Sequence, residues 1–249
     1  MKITVIGPGR AGTAIHQHAQ QAGFQSTLTR VYTGGADVVV LAVPDTAVSA
    51  VAASIEEGPM VGTLSGTVPL VDLAPHAHRF VLHPMQTIQP NRDDLQLAGC
   101  VAGITASDTA VASTIAEFAR ALGMEPMLIP EHLRPLPHIA CVFASNLLLA
   151  SLLSAMQVLE AAGLGADRRQ LLEPLIHRTI ENALKAGTST QPTGPVARGD
   201  RATVAAHRKY LQAIDPALAE SYVLLSTALL PHVTPEAAAI VRPALEPIA

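Results

Sequence analysis

The sequence predicts an α/β fold, with a mostly parallel, doubly wound sheet, followed by an all-α C-terminal domain. Three observations carry that expectation. Short β-like apolar runs alternate with helical stretches through residues 1–132, as strand–helix–strand units do. A glycine-rich turn, Gly7-Pro8-Gly9-Arg10-Ala11-Gly12, joins the first run to the first helix. Around Pro130, Pro135 and Pro137 the β pattern stops, so a first domain is set at 1–132 and a helical one at 133–249.

Residues 3–6 read as a strand and 11–22 as a helix opened by the glycine turn. Residues 24–30 alternate in the β manner. Residues 37–43 form a continuous apolar run, as a strand covered on both faces does. Pro44 and Asp45 end it, with Asp45 placed as the cap of a helix running to about Ile55. Further strands are expected at 60–64, 80–83, 100–104 and 126–129. Asp108 caps a periodic helix closed near Gly123. Helices then cover 138–162, 167–186 (with Pro174 inside), 202–214, 216–230 and 235–245, and a polar Gly/Pro-rich loop fills 187–200. Residues 141–159 carry no charge over nearly the length of a membrane span. Ser145, Asn146, Ser151, Ser154 and Gln157, and the lack of a flanking Lys/Arg cluster, favour a buried central helix over a membrane helix.

Composition excludes several classes. The 249 residues are 49% hydrophobic and 14% charged, with mean hydropathy +0.33, unlike a disordered chain. Two cysteines, Cys100 and Cys141, are too few for a disulfide scaffold. A net charge of −4 and a pI near 6.2 leave no basic field for nucleic acid. Aromatics at 3% with no Trp offer no base-stacking platform. The N-terminal apolar run stops at Gly7, too short for a signal sequence, so a cytoplasmic protein without a membrane partner is expected. No H-x-x-x-H or C-x-x-C spacing occurs, and no metal is expected.

The glycine turn is G-x-G-x-x-G, placed directly after a strand and opening a helix, which is the dinucleotide-binding pattern of a Rossmann fold. Gly7 makes the tight turn, Gly9 lets a pyrophosphate approach the backbone, and Gly12 allows helix and strand to pack closely. The acid that would hold a ribose 2′-hydroxyl about 20 residues on is missing, because residues 1–36 contain no Asp or Glu. Arg30 stands at the end of the second strand instead and suits a 2′-phosphate, so NADP(H) is expected over NAD(H). Arg10 and Ala11 complete the phosphate loop. Val43 and Pro44, at the carboxyl end of the next strand, are placed on the nicotinamide side.

The run Asp37-Val-Val-Val-Leu-Ala-Val-Pro44-Asp45 resembles the 6-phosphogluconate dehydrogenase-like Rossmann domains, shared with ketopantoate and pyrroline-5-carboxylate reductases. Further patches resemble the Rossmann-like proteins whose C-terminal half is the domain of unknown function 2520. These are Leu64-Ser65-Gly66, His83-Pro84-Met85-Gln86-Thr87, the stretch from His138 to Asn146, and Thr193-Gly-Pro-Val-Ala-Arg198-Gly199-Asp200 with His207 following. The resemblance spans nearly the whole chain. It implies an NADP-dependent oxidoreductase and a homodimer formed through the helical domain. Related hydroxyacid dehydrogenases place a Lys one turn before an Asn on the corresponding helix. Here that position is Val142, which cannot donate a proton.

The remaining candidates follow from chemistry. His138, Val142, Ser145, Asn146 and Leu149 share one face of an ideal helix. Asn146 either braces a neighbouring helix or orients a substrate carbonyl. His83 and His138 are alternative proton donors. Ser145, Gln86, Arg198, Asp200 and His207 are substrate-side candidates, Arg198 as a bidentate carboxylate clamp. Asp200 can equally cap the helix after it. The expected activity is hydride transfer to or from a small carbonyl or imine compound, with a carboxylate near Arg198. A non-catalytic NADP-binding sensor is the alternative reading, and an interaction module built on the apolar helical half is a third.

Overall fold

A computed structural model describes residues 1–89, 96–187 and 191–246. All seven expected strands form: β1 Lys2–Ile6, β2 Gln25–Thr29, β3 Val38–Leu41, β4 Met60–Thr63, β5 Arg79–Pro84, β6 Val101–Ala106 and β7 Glu125–Leu128. They make one sheet in the order β2-β1-β3-β4-β5-β6-β7. Every pairing is parallel except β5 with β6. The chain winds outward from β1 to β2, then returns to place β3 on the other side of β1. That reversal leaves a crevice at the carboxyl ends of β1 and β3.

Alternation along the central strands sends side chains to two cores. Ile3, Val5, Val38, Val40, Phe80 and Leu82 pack on one face, with helices α1 (Arg10–Gln21) and α3 (Thr109–Ala121). Ile6, Val39, Leu41, Val61 and Val81 pack on the other, with α2 (Asp45–Ala53). This is why β3 reads as an unbroken apolar run: both of its faces are covered. Asp108 does cap α3, accepting from Val111 N at 2.9 Å. Asp45 does not cap α2. Pro44 holds the cap position, and the Asp45 carboxylate accepts from the Thr67 hydroxyl at 2.9 Å instead.

The chain forms two compact units, Met1–Leu147 and Leu148–Ala249, so the first extends past the expected end at residue 132. Long-range contacts hold the extra segment. Glu131 accepts from Leu70 N at 2.7 Å, and Arg134 donates to Ser65 O at 3.1 Å. The prolines mark a helix start rather than a unit boundary, since Pro135 and Pro137 fall in the first turn of α4 (Pro135–Val142), where a missing N–H costs nothing.

The expected single helix 138–162 is instead α4, a π-helical segment Phe143–Leu147, and α5 (Leu148–Ala161). None of its residues is buried, which corrects the expectation of a buried central helix. The stretch Glu131–Ala161 is long and apolar enough to cross a membrane. The second unit's core is built elsewhere, from Val196, Val204, Leu230, Val241 and Leu245. These come from the loop before α7 (Arg201–Ile214), from α7 itself, from the turn after α8 (Pro216–Leu229), and from α9 (Pro235–Leu245). Helix α6 (Arg168–Ala186) buries nothing.

Phe80 is fully buried and its ring lies against Gly62 of β4, leaving no room for a Cβ there. Phe80→Ala should lower the unfolding free energy by about 3–5 kcal/mol, read by urea denaturation. A loss no larger than a surface substitution gives, about 0.5 kcal/mol, would contradict this account of the core.

Candidate active site

The glycine turn meets the packing demands its pattern implies. Gly7 has φ +111°, and a Cβ there would collide with the Ala42 carbonyl. A Cβ on Gly12 would overlap Gly7 O and lie 2.9 Å from Ala42 Cβ. At Gly9 a Cβ would meet nothing within 4 Å, so the backbone there faces open space. Helix α1 begins at Arg10 with no side-chain cap and no acid in its first turn. Its first backbone bond runs from Thr13 N to Gly9 O, which leaves the preceding N–H groups free for an anion.

Arg30 follows β2 directly and is exposed. Its guanidinium has no partner among the described residues. Asp37, the first acid in the chain, precedes β3 and accepts from Lys2 N at 2.7 Å. It therefore lies at the amino edge of the sheet, away from the crevice. Val43 and Pro44 follow β3 at the carboxyl edge. This set fits a dinucleotide bearing a 2′-phosphate: free N–H groups, an open Gly9, and a cation where an acid would repel.

Further along the same edge lies a cleft of about 320 Å³, lined by His83, Gln86, His138, Ser145 and Asn146 among others. Five of the eight catalytic and substrate-side candidates thus share one wall system. β5 delivers His83 at its carboxyl end and the chain after it delivers Gln86. α4 delivers His138, and the π segment delivers Ser145 and Asn146. Three strand spacings, about 14 Å, separate β5 from β1, so the cleft and the glycine turn sit along one edge.

His83 Nδ1 donates to Leu64 O at 2.9 Å. A carbonyl can only accept, so Nδ1 carries the hydrogen and the neutral ring keeps its lone pair on Nε2. Burial pushes the His83 imidazole below its usual value, the Leu64 bond opposes this, and the charges of His138 and Arg134 lower it further. The His83 and His138 rings meet edge to face, with centroids 5.3 Å apart. His138 Nδ1 is buried without a hydrogen-bond partner, and it lies where a Cβ on Gly66 would come within 2.6 Å of it. Arg134, only 6% exposed, stands behind the pair.

Sequence reasoning missed Arg134 and Gly66. Both act through partners 69 and 72 residues away in the chain, Ser65 and His138, and no local pattern marks such contacts. Cys141, read as inert, also lines the cleft. The other three candidates belong to the second unit. Asp200 caps α7, accepting from Thr203 N at 3.0 Å and from the Thr203 hydroxyl at 2.7 Å, and these bonds hold its carboxyl below the usual range. His207 Nδ1 lies 3.1 Å from the Tyr222 hydroxyl. Arg198 is exposed, with no side-chain hydrogen bond or ion pair among the described residues. Leu149, expected on the face of His138, also falls in the second unit and is exposed.

The sheet order, the crossover at β1 and the glycine turn define a Rossmann-like α/β protein with a helical C-terminal unit. The chain belongs to the family described as domain of unknown function DUF2520, whose model matches residues 100–229. No curated protein matches the sequence. Among solved structures, it is similar to a Bacteroides fragilis protein provisionally classed as an NADP oxidoreductase. The two are 23% identical, with 92% of this chain and 97% of that one covered and a TM-score of 0.80. It is also similar to an imine reductase from Myxococcus stipitatus in complex with NADP+, at 15% identity, 97% and 99% coverage and a TM-score of 0.64. A Plasmodium falciparum pyrroline carboxylate reductase with NADP bound matches at 12% identity, 92% and 98% coverage and a TM-score of 0.53.

Because the folded state holds the His83 pKa below its unfolded value, the unfolded chain takes up the proton first. Stability is therefore full above about pH 6.5 and falls as the pH drops through the folded pKa. Between pH 7.5 and 5 the wild type should lose more stability to urea than His83→Gln. Equal losses would show that His83 is not held neutral.

Proposed function

We propose that the protein is an NADP(H)-dependent oxidoreductase that moves a hydride to or from a small carbonyl or imine compound bearing a carboxylate. The observation that carries this reading is the uncapped, open glycine turn at the β1/β3 crevice, with Arg30 and no acid at the end of β2. The free N–H groups of α1 and Arg10 would hold the pyrophosphate, Arg30 the 2′-phosphate, and Val43 and Pro44 the nicotinamide side. The dinucleotide, when bound, supplies or accepts the hydride. The chain's own residues do the rest. Asn146 orients the reacting group, and His83 takes up or gives a proton at Nε2. His138 fixes the His83 ring from the side. Arg198 is the second unit's candidate ligand for a carboxylate. The NADP complexes of the imine reductase and the pyrroline carboxylate reductase support this reading.

A sensor that binds NADP without turnover is the second reading. It is favoured by Val142, which lines the cleft where a lysine would have supplied a proton. Calorimetric titration should show NADPH binding more tightly than NADH, and Arg30→Ala should remove most of the difference. No binding of either nucleotide would end both readings.

We also propose a homodimer formed through the helical half. Phe143 is 65% exposed, Leu153 55% and Leu175 63%, a density of bare apolar side chains that marks an interaction surface. A second copy fits better than a membrane, because the same helical stretch carries His138, Ser145 and Asn146 on the cleft wall. Light scattering at micromolar concentration should give twice the 25.9 kDa chain mass, and Leu153→Arg should shift it toward the monomer. A monomeric wild type would count against this.

A further inference from the structure

Neither the family nor the similar structures fix whether the cleft takes an imine or a carbonyl. The polar groups on its wall discriminate between them, given the reading above that this cleft is the substrate site. Gln86 and Asn146 each present a side-chain amide with its oxygen already engaged. Gln86 Oε1 accepts from Thr87 N at 2.8 Å. Asn146 Oδ1 lies 3.0 Å from the Ser145 hydroxyl, which also donates to Cys141 O at 2.6 Å. Both amide NH2 groups are without acceptors among the described residues. An amide whose oxygen is occupied can offer a ligand only donors.

Charge points the same way. Among the described residues lining the cleft there is no Asp or Glu. The fixed charge behind the histidine pair is the buried guanidinium of Arg134. Asp45, the one carboxylate that acts on His83, already accepts from Thr67. An iminium or ammonium ion entering this cleft would give up water and find donors and a like charge. A carboxylate or carbonyl oxygen would find donors and an opposite charge.

We infer that the cleft binds an anionic carbonyl compound, an oxo acid, and rejects the imine or amine of the same skeleton. The free amide groups of Gln86 and Asn146 are the specificity-determining contacts.

The test is calorimetric titration of the full chain, with and without saturating NADP+, using 2-oxopentanoate, 2-pentanone and piperidine as probes. 2-Oxopentanoate should bind, and the neutral ketone and the cation should not. Gln86→Glu, at an exposed position, replaces free donors with a carboxylate. It should weaken 2-oxopentanoate about tenfold or more, the effect of losing a hydrogen bond to a charged group, and should admit piperidine. Asn146→Leu should weaken 2-oxopentanoate without admitting piperidine. Unchanged urea midpoints would confirm that both variants fold. The inference is overturned if piperidine binds the wild type as well as the oxo acid does, if no probe binds, or if oxo-acid binding survives both substitutions. NADPH affinity, measured alongside, separates the outcomes: intact NADPH binding with no oxo-acid binding overturns the substrate class alone, and loss of NADPH binding removes the oxidoreductase reading.

Discussion

In the first unit, α1 crosses the turn after β1 so closely that a single carbon added at Gly12 would occupy the space of the Gly7 carbonyl. This contact fixes the tilt of α1 over β1 and β3. It also keeps the start of the helix low against the sheet, so that its free N–H groups open on the crevice rather than on solvent above it. Gly7, at φ +111°, makes the reversal that brings the chain there. A wider contact at Gly12 would tolerate larger residues but would lift the helix start away from the strand ends. The geometry of the whole carboxyl edge follows from how tightly this one turn is packed.

The cleft depends on a second set of close contacts. Leu64, just past β4, gives its carbonyl to His83, and Ser65 gives its own to Arg134. Gly66 then clears room for the His138 ring. Three consecutive residues of one loop thus position a histidine from β5, an arginine from the approach to α4, and a histidine from α4 itself. The low exposure of Arg134 makes its charge effective, because water does not screen it on the buried side. The loop is short and polar, yet it joins the sheet to the helix that forms the opposite wall.

Much of the fold was legible because it is encoded locally. Period-two runs located all seven strands, and Asp108 and Gly123 located both ends of α3. The antiparallel entry of β6 was not legible, since pairing direction leaves no mark on a strand's own sequence. The apolar run after His138 was read as buried because hydrophobicity reports what a surface avoids, water, without saying what covers it. His83, Gln86, His138, Ser145 and Asn146 came together as the sequence suggested. Arg134 did not register, because its place is set by a carbonyl far away in the chain. Asp200 carried two readings, and its geometry is that of a cap.

The π-helical segment Phe143–Leu147 has a consequence of its own. A π turn holds one more residue than the α turn it replaces, so the phase of everything after it is set by counting and not by any side chain. Removing one residue from this segment would restore regular α geometry and rotate the following helix by about 100° about its axis. Substitutions in this segment are therefore cheaper than deletions. Homologous chains can exchange its letters freely, but a change in its length would turn the cleft's amide toward a different neighbour.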